Sequence, residues 1–252
     1  MSAAAPTLTR PTTAAPGTIW PVVRMMAVGL RAMIAGYWLV MVTAFLIAGV
    51  IMHLVAGTTD KSVLDFATNS PKYFSSAIGA TLTPAFLVLM VAHGVTRRTV
   101  AIAGSLFLLA TATTTSLLWV LAYQLERGIF AWQDWPHVLT NPHLFTKTSQ
   151  VGLIFLEFFL MIMSHQVAGW LISSSFYRFG FWTGLAMLPL GLLPAIGTEA
   201  LLVTQWVAQA LENTGWHRPS LFVGVPGVLL ICALGLYANY RLIRPIGLKP
   251  TK

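Results

Sequence analysis

Long apolar runs separated by short polar connections are the main pattern along this chain. Each run is close to the roughly 20 residues that a helix needs to cross the hydrocarbon core of a membrane. The pattern therefore predicts an all-α integral membrane protein with six transmembrane helices. The predicted spans are residues 33–55, 74–92, 100–121, 151–172, 181–203 and 221–240.

Composition supports a membrane environment. The chain has 252 residues, of which 56% are hydrophobic and only 9% are charged. So few polar residues cannot cover a water-facing surface of ordinary polarity. Residues 1–17 are rich in Ala, Pro and Thr, a composition that cannot bury a core, and they are predicted to form a disordered cytoplasmic tail. Residues 18–252 are predicted to form a single transmembrane domain.

The basic residues are distributed unevenly about the predicted spans. Ten of the 15 Lys and Arg residues fall on one side, where no carboxylate lies beside them. They are Arg10, Arg24, Arg31, Arg97, Arg98, Arg178, Arg241, Arg244, Lys249 and Lys252. By the positive-inside rule this side is cytoplasmic, so both termini are predicted to be cytoplasmic. Because the basic residues flank apolar spans instead of clustering, membrane lipid is the expected partner of the +8 charge, and nucleic acid is not.

The stretch before the first span has an amphipathic pattern. Residues 18–31 carry large apolar side chains, with Arg24 and Arg31 seven residues apart on the same helix face; the apolar residues include Ile19, Trp20, Val23, Met25, Met26 and Leu30. This pattern predicts an N-terminal amphipathic helix lying at the membrane interface. The alternative is that the same residues continue the first span into the cytoplasm.

The fifth span contains Pro189 and Pro194, which predict a bend or break in its helix. Residues 198–212 could then form a separate external or re-entrant helix. Glu199 falls where the outer leaflet is expected, and a lipid-facing carboxylate there is costly. Glu199 is therefore predicted to face protein or water.

Two further ionisable residues fall within the fourth span. Glu157 and His165 are eight residues apart, which places them on roughly one helix face and about 12 Å apart. Ionisable groups at such depth usually face a bundle interior or a pathway, so Glu157, His165 and Glu199 are candidate lining residues of a conduit. The alternative is that Glu157 and His165 are simply paired with other residues inside the bundle.

The connection between the second and third spans, residues 91–99, has the most specific sequence in the chain. It reads Val-Ala-His-Gly-Val-Thr-Arg-Arg-Thr. This segment resembles the coupling loop of ABC-2 type transporter permeases, in which a small residue, Gly, an apolar residue, Ser or Thr, and two basic residues form a short turn and helix. The matching positions are Gly94, Val95, Thr96, Arg97 and Arg98, while His93 stands in place of the small residue. Gly94 would permit the turn, and Thr96 could cap the helix that follows.

The second cytoplasmic connection also resembles the family pattern, with Tyr177 and Arg178 just before the fifth span. The resemblance implies a permease subunit with a short cytoplasmic coupling helix between spans 2 and 3. Its partners would be cytoplasmic ABC ATPase subunits, which hold ATP and Mg, and a second permease copy or paralogue. It implies export across a bacterial plasma membrane. Because the spans would line a cavity with apolar and aromatic side chains and few charges, the expected substrate is hydrophobic or amphiphilic, such as a lipid, drug or peptide.

The motifs for catalysis or cofactor binding are few. No Gly-rich run ending in Gly-Lys-Ser/Thr is present, so the chain is not expected to hydrolyse ATP itself. The single cysteine, Cys232, excludes a metal centre built on several cysteines, and no metal site is predicted. An intramembrane hydrolase is not favoured, because the nucleophile elbow Gly-x-Ser-x-Gly is missing.

A membrane oxidoreductase subunit that binds b-type haem or quinone is the alternative function. Six histidines are available, and paired axial histidines on facing helices hold such haems. The predicted depths argue against a pair, because His53, His93 and His165 fall at three different levels. The other three histidines fall in external loops.

Overall fold

The computed structural model describes residues 19–56, 61–211 and 214–246. These residues form helices and connections, and the described ranges contain no β-strand beyond an isolated bridge between Lys61 and Val138. The predicted tail 1–17 and the charges of Arg10, Lys249 and Lys252 lie outside the described residues.

The predicted six-span architecture is confirmed as six helical segments that are long and apolar enough to cross a membrane. Two of the segments are composite: the second combines a short 3₁₀-helix (Leu64–Ala67), α2, a π-helical stretch and α3, and the fifth combines α6 and α7. The helices are α1 (Ile19–Ala56), α2 (Ser70–Thr81), the π-helix (Leu82–Leu87), α3 (Val88–Ala92), α4 (Arg97–Trp132), α5 (Val151–Phe179), α6 (Phe181–Ala186), α7 (Leu188–Leu202), α8 (Gln205–Leu211) and α9 (Leu221–Ile243).

Several helices are longer than the apolar runs that predict them. Helix α4 continues to Trp132, eleven residues past the predicted end at residue 121, because Tyr123, Glu126 and Phe130 in this extension are buried. Helix α5 has 29 residues and is therefore about 43 Å long. The C-terminal turns of α4 and the N-terminal turns of α5 are thus covered by the longer loops.

Helix α1 runs unbroken from Ile19, so the region predicted to be an interfacial helix continues the first span, as in the alternative interpretation. The reason is packing: Val22, Val23 and Met26 are buried, and Gly29 lies against the ring of Phe86. Val22, Val23 and Met26 therefore face other helices of the bundle, whereas Trp20 and Val28 stay exposed.

Helix α5 is the centre of the bundle and packs against α2, α4, α7 and α9. In its most apolar window 67% of the residues are buried, compared with 6% in α1. The closest approach is to α2, where a Cβ atom built on Gly79 would lie 2.0 Å from the carbonyl oxygen of Gln166. A Cβ atom on Gly169 would likewise lie 2.0 Å from the carbonyl oxygen of Ser76. Two glycines therefore allow backbone contact between α2 and α5.

Gly79→Ala is expected to lower the free energy of unfolding by about 1–3 kcal/mol, because the added methyl group must separate two backbones. The effect is measured from the unfolding midpoint of the purified protein in detergent. Gly128→Ala is the matched control, because Gly128 lies in α4 with no atom within 4 Å of the new Cβ. Alanine has a higher helix propensity than glycine, so this variant should be at least as stable as the unmodified chain. Equal stability of the two variants would contradict the close-packing role of Gly79.

The break predicted in the fifth span is present at Met187, between α6 and α7. Pro189 lies in the first turn of α7 and has no N–H to continue the hydrogen bonds of α6. Helix α7 ends at Leu202, and the next residue, Val203, has left-handed backbone geometry (φ 47°). The separate helix after α7 therefore begins at Gln205 and not near Thr198, because Thr198 and Glu199 remain in α7.

The two ends of the bundle differ in charge. We call the end formed by residues 93–98, 176–181 and 241–246 the basic end, and the end formed by residues 61–69, 133–150 and 203–220 the acidic end. Arg97 on α4 donates hydrogen bonds to the carbonyl oxygen of Ile246, so the first connection and the end of α9 lie on the same side. All carboxylates among the described residues belong to the acidic half: Asp65, Glu126, Asp134, Glu157 and Glu199.

Candidate functional site

The connection at the basic end is a tight turn followed directly by α4. Gly94 has φ +80°, a left-handed geometry that glycine adopts without strain. Thr96 is extended and caps α4, because its hydroxyl accepts a hydrogen bond from the N–H of Thr99 at 3.2 Å. The predicted turn and cap are thus both present. The capped helix is the third span itself, so no separate coupling helix lies in the described connection between α3 and α4.

The two arginines after this turn have different environments. The guanidinium group of Arg97 is half-buried and donates from Nε and Nη2 to the carbonyl oxygen of Ile246 at 3.1 and 2.6 Å. The neighbouring Arg98 is exposed, whereas Val95 between the turn and the cap is partly buried. Arg97 therefore fastens the turn to the end of the last helix, and Arg98 presents its charge to the surroundings.

The second connection also contacts the end of α9. Gly180, with φ +81°, separates α5 from α6, and Tyr177 before it is half-buried. The guanidinium carbon of Arg178 lies 4.7 Å from the centre of the Phe179 ring. Its Nη1 lies 3.5 and 3.4 Å from the carbonyl oxygens of Arg241 and Leu242. The end of α9 thus joins the two connections of the basic end.

Toward the acidic end, three side chains from three helices form a buried ionic contact inside the bundle. Nζ of Lys72 on α2 lies 2.7 Å from Oε1 of Glu199 on α7, and Nε2 of His165 on α5 lies 3.2 Å from the same oxygen. The side chains of Lys72 and Glu199 are only 1% and 8% exposed. Glu199 faces protein, as predicted. We call these three residues the Lys72 cluster.

The positions of Lys72 and Glu199 along their helices explain why the pairing is stabilising. Pro71 lies in the first turn of α2, a favoured position that begins the helix just before Lys72. A cation at a helix N-terminus and a carboxylate near a helix C-terminus are both unfavourable with respect to the helix dipole. Pairing Lys72 with Glu199 offsets both terms and also the cost of burying each charge.

Further buried polar residues lie next to members of the Lys72 cluster along the same helices. Ser75 lies one turn after Lys72, Gln166 follows His165, and Thr198 precedes Glu199. Within the described ranges, the buried side-chain oxygens of Ser75 and Thr198 and Oε1 of Gln166 form no hydrogen bond. Buried polar groups at this depth of the bundle are therefore not limited to the three charged side chains.

A second cluster lies closer to the acidic end and contains Asp65, His143 and Glu157. Nδ1 of His143 lies 2.7 Å from Oε1 of Glu157, and Nε2 lies 2.7 Å from Oδ1 of Asp65. All three side chains are fully buried. We call this the His143 cluster. Since Glu157 and His165 are eight residues apart on α5, the two clusters differ in depth by about 12 Å.

The carboxylates of the His143 cluster also bind the backbone of the loop that follows α4. Oδ2 of Asp65 accepts hydrogen bonds from the N–H groups of Thr140 and Asn141 at 2.6 and 2.9 Å. Oε2 of Glu157 accepts one from the N–H of Leu144 at 2.7 Å. These bonds satisfy backbone donors that would otherwise be buried without a partner, so the cluster holds this loop on the bundle.

The charge state of His143 follows from its partners. Carboxylates only accept hydrogen bonds, so each ring nitrogen of His143 must donate, which requires the imidazolium form. Burial lowers the pKa of His143, but the negative charge of Glu157 and the hydrogen bonds to Asp65 and Glu157 outweigh it and raise the pKa to about 9. His143 is therefore the cation that compensates two buried carboxylates at neutral pH.

Glu126 forms a third polar cluster at the end of α4. It accepts hydrogen bonds from the hydroxyl of Ser62, from the N–H of Val63 and from Nε2 of His137, at 2.6, 2.7 and 2.9 Å. Arg218 from the last loop donates to the carbonyl oxygen of His143 at 3.0 Å. The three loops of the acidic end are therefore fixed to the helices by carboxylate and arginine hydrogen bonds.

Ring nitrogens of the buried His165 and of the half-buried His137 contact protein groups. Nδ1 of His165 is bonded to the carbonyl oxygen of Met161 at 2.8 Å, and Nδ1 of His137 to the hydroxyl of Thr148 at 3.2 Å. In the described part of the chain, no group of three or more His, Cys, Asp or Glu residues is arranged to hold a metal ion.

The structure thus separates the three candidate conduit residues. It brings His165 and Glu199 together, and it places Glu157 in the His143 cluster. Sequence reasoning missed Lys72, Asp65 and His143, which supply the partners. Their signal was the concentration of Asp, Asn and His in the longer outer loops, but spacing in these loops does not indicate which helix they fold against.

Comparison of the chain with protein-family models, with curated proteins and with solved structures gave no match. The likeness of residues 91–99 to a coupling loop therefore stays a prediction from sequence. The six-helix architecture and the geometry of the basic end are the basis for the functional proposal.

Proposed function

We propose that the chain is the membrane-spanning permease subunit of an ATP-binding cassette exporter. Six helices long and apolar enough to span a membrane and a basic end free of described carboxylates support a multi-pass orientation with that end in the cytoplasm. In this proposal ATP and Mg are bound by separate cytoplasmic ATPase subunits, and a second copy or relative of the chain completes the transporter in a bacterial plasma membrane.

The observation that carries the proposal is the way the exposed turn at Gly94 is fastened. Arg97 ties it to Ile246, and Arg178 brings the second connection to the same end of α9. A cytoplasmic ATPase that moves on binding nucleotide needs a contact whose displacement reaches the spans. Because α4 begins immediately after the capped turn, a push on the turn acts directly on the third span.

The proposed substrate is hydrophobic or amphiphilic, such as a lipid, a drug or a peptide. The described Lys, His, Asp and Glu residues of the Lys72 and His143 clusters inside the bundle are paired with one another. The surfaces left to line a path between two permease copies are then mainly apolar. Such surfaces suit amphiphiles better than sugars or ions.

Arg98→Glu tests the coupling role, because Arg98 is exposed and its replacement leaves the Arg97 tether intact. Reversing one charge at a charge-paired interface costs about 2 kcal/mol or more, so the ATPase should bind about thirtyfold more weakly. The chain is purified from native membranes in mild detergent, the bound subunits are identified by mass spectrometry, and nucleotide hydrolysis and the visible spectrum are measured on the same sample.

Arg24→Glu is the matched control, since Arg24 is also exposed and lies near the basic end of α1. The proposal expects a stoichiometric ATPase with the unmodified chain and with Arg24→Glu, and little with Arg98→Glu. A haem spectrum without an ATPase would instead establish the redox alternative. Full retention of the ATPase by Arg98→Glu would remove Arg98 from the coupling contact.

A further inference from the structure

A cavity of about 710 Å³ lies at the basic end between α5, α7 and the end of α9. Its inner walls are largely apolar and include Leu171, Leu190 and Gly191. At the other end of the lining are three arginines: Arg178, Arg241 and Arg244. Since Leu171 and Arg178 are seven residues apart on one helix, the apolar and charged parts are separated by about 10 Å. The cavity is therefore amphiphilic along its length.

The three arginines have no carboxylate partner within the described residues. The described carboxylates lie in the acidic half of the bundle, and the ion pairs found there involve lysine and histidine only. Arg178 contacts carbonyl oxygens through Nη1 at 3.4 Å or more, and Arg241 donates from Nη1 to the hydroxyl of Tyr237 at 2.9 Å. A guanidinium group has five N–H donors, so most donors remain available for an anion.

Phosphate monoanions and diesters match the fork of a guanidinium group, and basic pockets between helices on the cytoplasmic side suit anionic lipid headgroups. We propose that this cavity binds the phosphate headgroup of an anionic phospholipid, with part of an acyl chain against Leu171 and Leu190. A free phosphate would satisfy the arginines but would leave the apolar walls uncovered. This site is distinct from the Gly94 turn and does not depend on the transport proposal.

The test is native mass spectrometry of the purified full chain titrated with dioleoylphosphatidylglycerol, with dioleoylphosphatidylcholine and with inorganic phosphate. The double variant Arg241→Gln/Arg244→Gln removes two of the charges. Each arginine near a headgroup is expected to contribute about fivefold in affinity, so the double variant should bind phosphatidylglycerol about 25-fold more weakly. Ala238→Trp, which fills the cavity from an exposed position in its lining, should reduce binding without removing charge.

Arg24→Gln/Arg31→Gln is the matched control, because both residues are exposed on α1 and lie outside the cavity lining. The proposal expects one tightly bound phosphatidylglycerol with the unmodified chain and with this control. Equal binding of phosphatidylcholine, equal losses in both double variants, or displacement of the lipid by inorganic phosphate would each overturn it. If the cavity double variant fails to fold, Ala238→Trp alone decides, and unchanged lipid binding by Ala238→Trp would refute the site.

Discussion

Lys72→Met is expected to lower the free energy of unfolding by about 3–5 kcal/mol, because it leaves the buried carboxylate of Glu199 without its lysine. Lys72 is 1% exposed, and its ammonium group lies 2.7 Å from Glu199. His165 also contacts this carboxylate, but at the longer distance of 3.2 Å. The measurement is the unfolding midpoint of the purified protein in detergent, with the denaturant slope checked for two-state behaviour.

The double variant Lys72→Met/Glu199→Gln distinguishes the cost of an unpaired buried carboxylate from the net contribution of the ion pair to stability. Replacing both members of a buried ion pair by neutral groups is often close to neutral, so the double variant should recover most of the lost stability. Lys147→Met is the control for removing a lysine, because Lys147 is exposed in the acidic-end loop. Additive losses in the double variant would show that Lys72 and Glu199 act independently.

His143→Phe is expected to destabilise the acidic end by a similar amount, about 3–5 kcal/mol, because Asp65 and Glu157 would lose the cation between them. The phenyl ring keeps the size of the imidazole and its stacking on Phe145, whose ring centre lies 4.5 Å away. The loss is therefore electrostatic and not a cavity effect. His217→Phe is the control, since His217 is an exposed histidine in the loop before α9.

The same cluster predicts how stability changes with pH. The pKa of His143 is raised to about 9 from its ordinary value of 6.5, because the charge of Glu157 and the hydrogen bonds to Asp65 and Glu157 outweigh the effect of burial. A group whose pKa is raised on folding stabilises fully below its unfolded pKa and loses this contribution as the pH rises through its folded value. About 3 kcal/mol should therefore be lost between about pH 6.5 and pH 9.

Unfolding midpoints measured across this range for the unmodified chain and for His143→Phe test the assignment. The groups that face His143 are Asp65 and Glu157, with Phe145 stacked on its ring. The alkaline loss should be present in the unmodified chain and in His217→Phe, and reduced in His143→Phe. A loss that persists unchanged in His143→Phe would assign the alkaline sensitivity to another group.

The sequence was sufficient for features that depend on local chemistry. Apolar run length predicts the six spans, because a helix crossing hydrocarbon must satisfy its own backbone and present apolar side chains throughout. Single residues also predict local backbone geometry where few alternatives exist. Gly94 takes up the left-handed turn, Thr96 caps the next helix, and Pro189 marks the break at Met187.

The ends of the helices were less predictable. Helix α4 extends past the apolar run because the side chains of its last turns are buried by the outer loops. In α1, the amphipathic region was compatible with an interfacial helix or with a continued span. Contacts such as that of Gly29 with Phe86 hold it in the bundle as a continuation of the span. Local pattern shows that a residue is suited to burial, but it does not show which surface buries it.

By itself, then, the sequence determined that the chain has six apolar helices, a basic end and a tight turn before the third span. Only the tertiary structure decided which charges meet: Lys72 with Glu199, and His143 with Asp65 and Glu157. Lys72 and Glu199 are separated by 127 positions, so no local spacing connects them. The physical reason is that the cost of burying a charge is offset only by a partner in three-dimensional contact, and helix packing selects that partner.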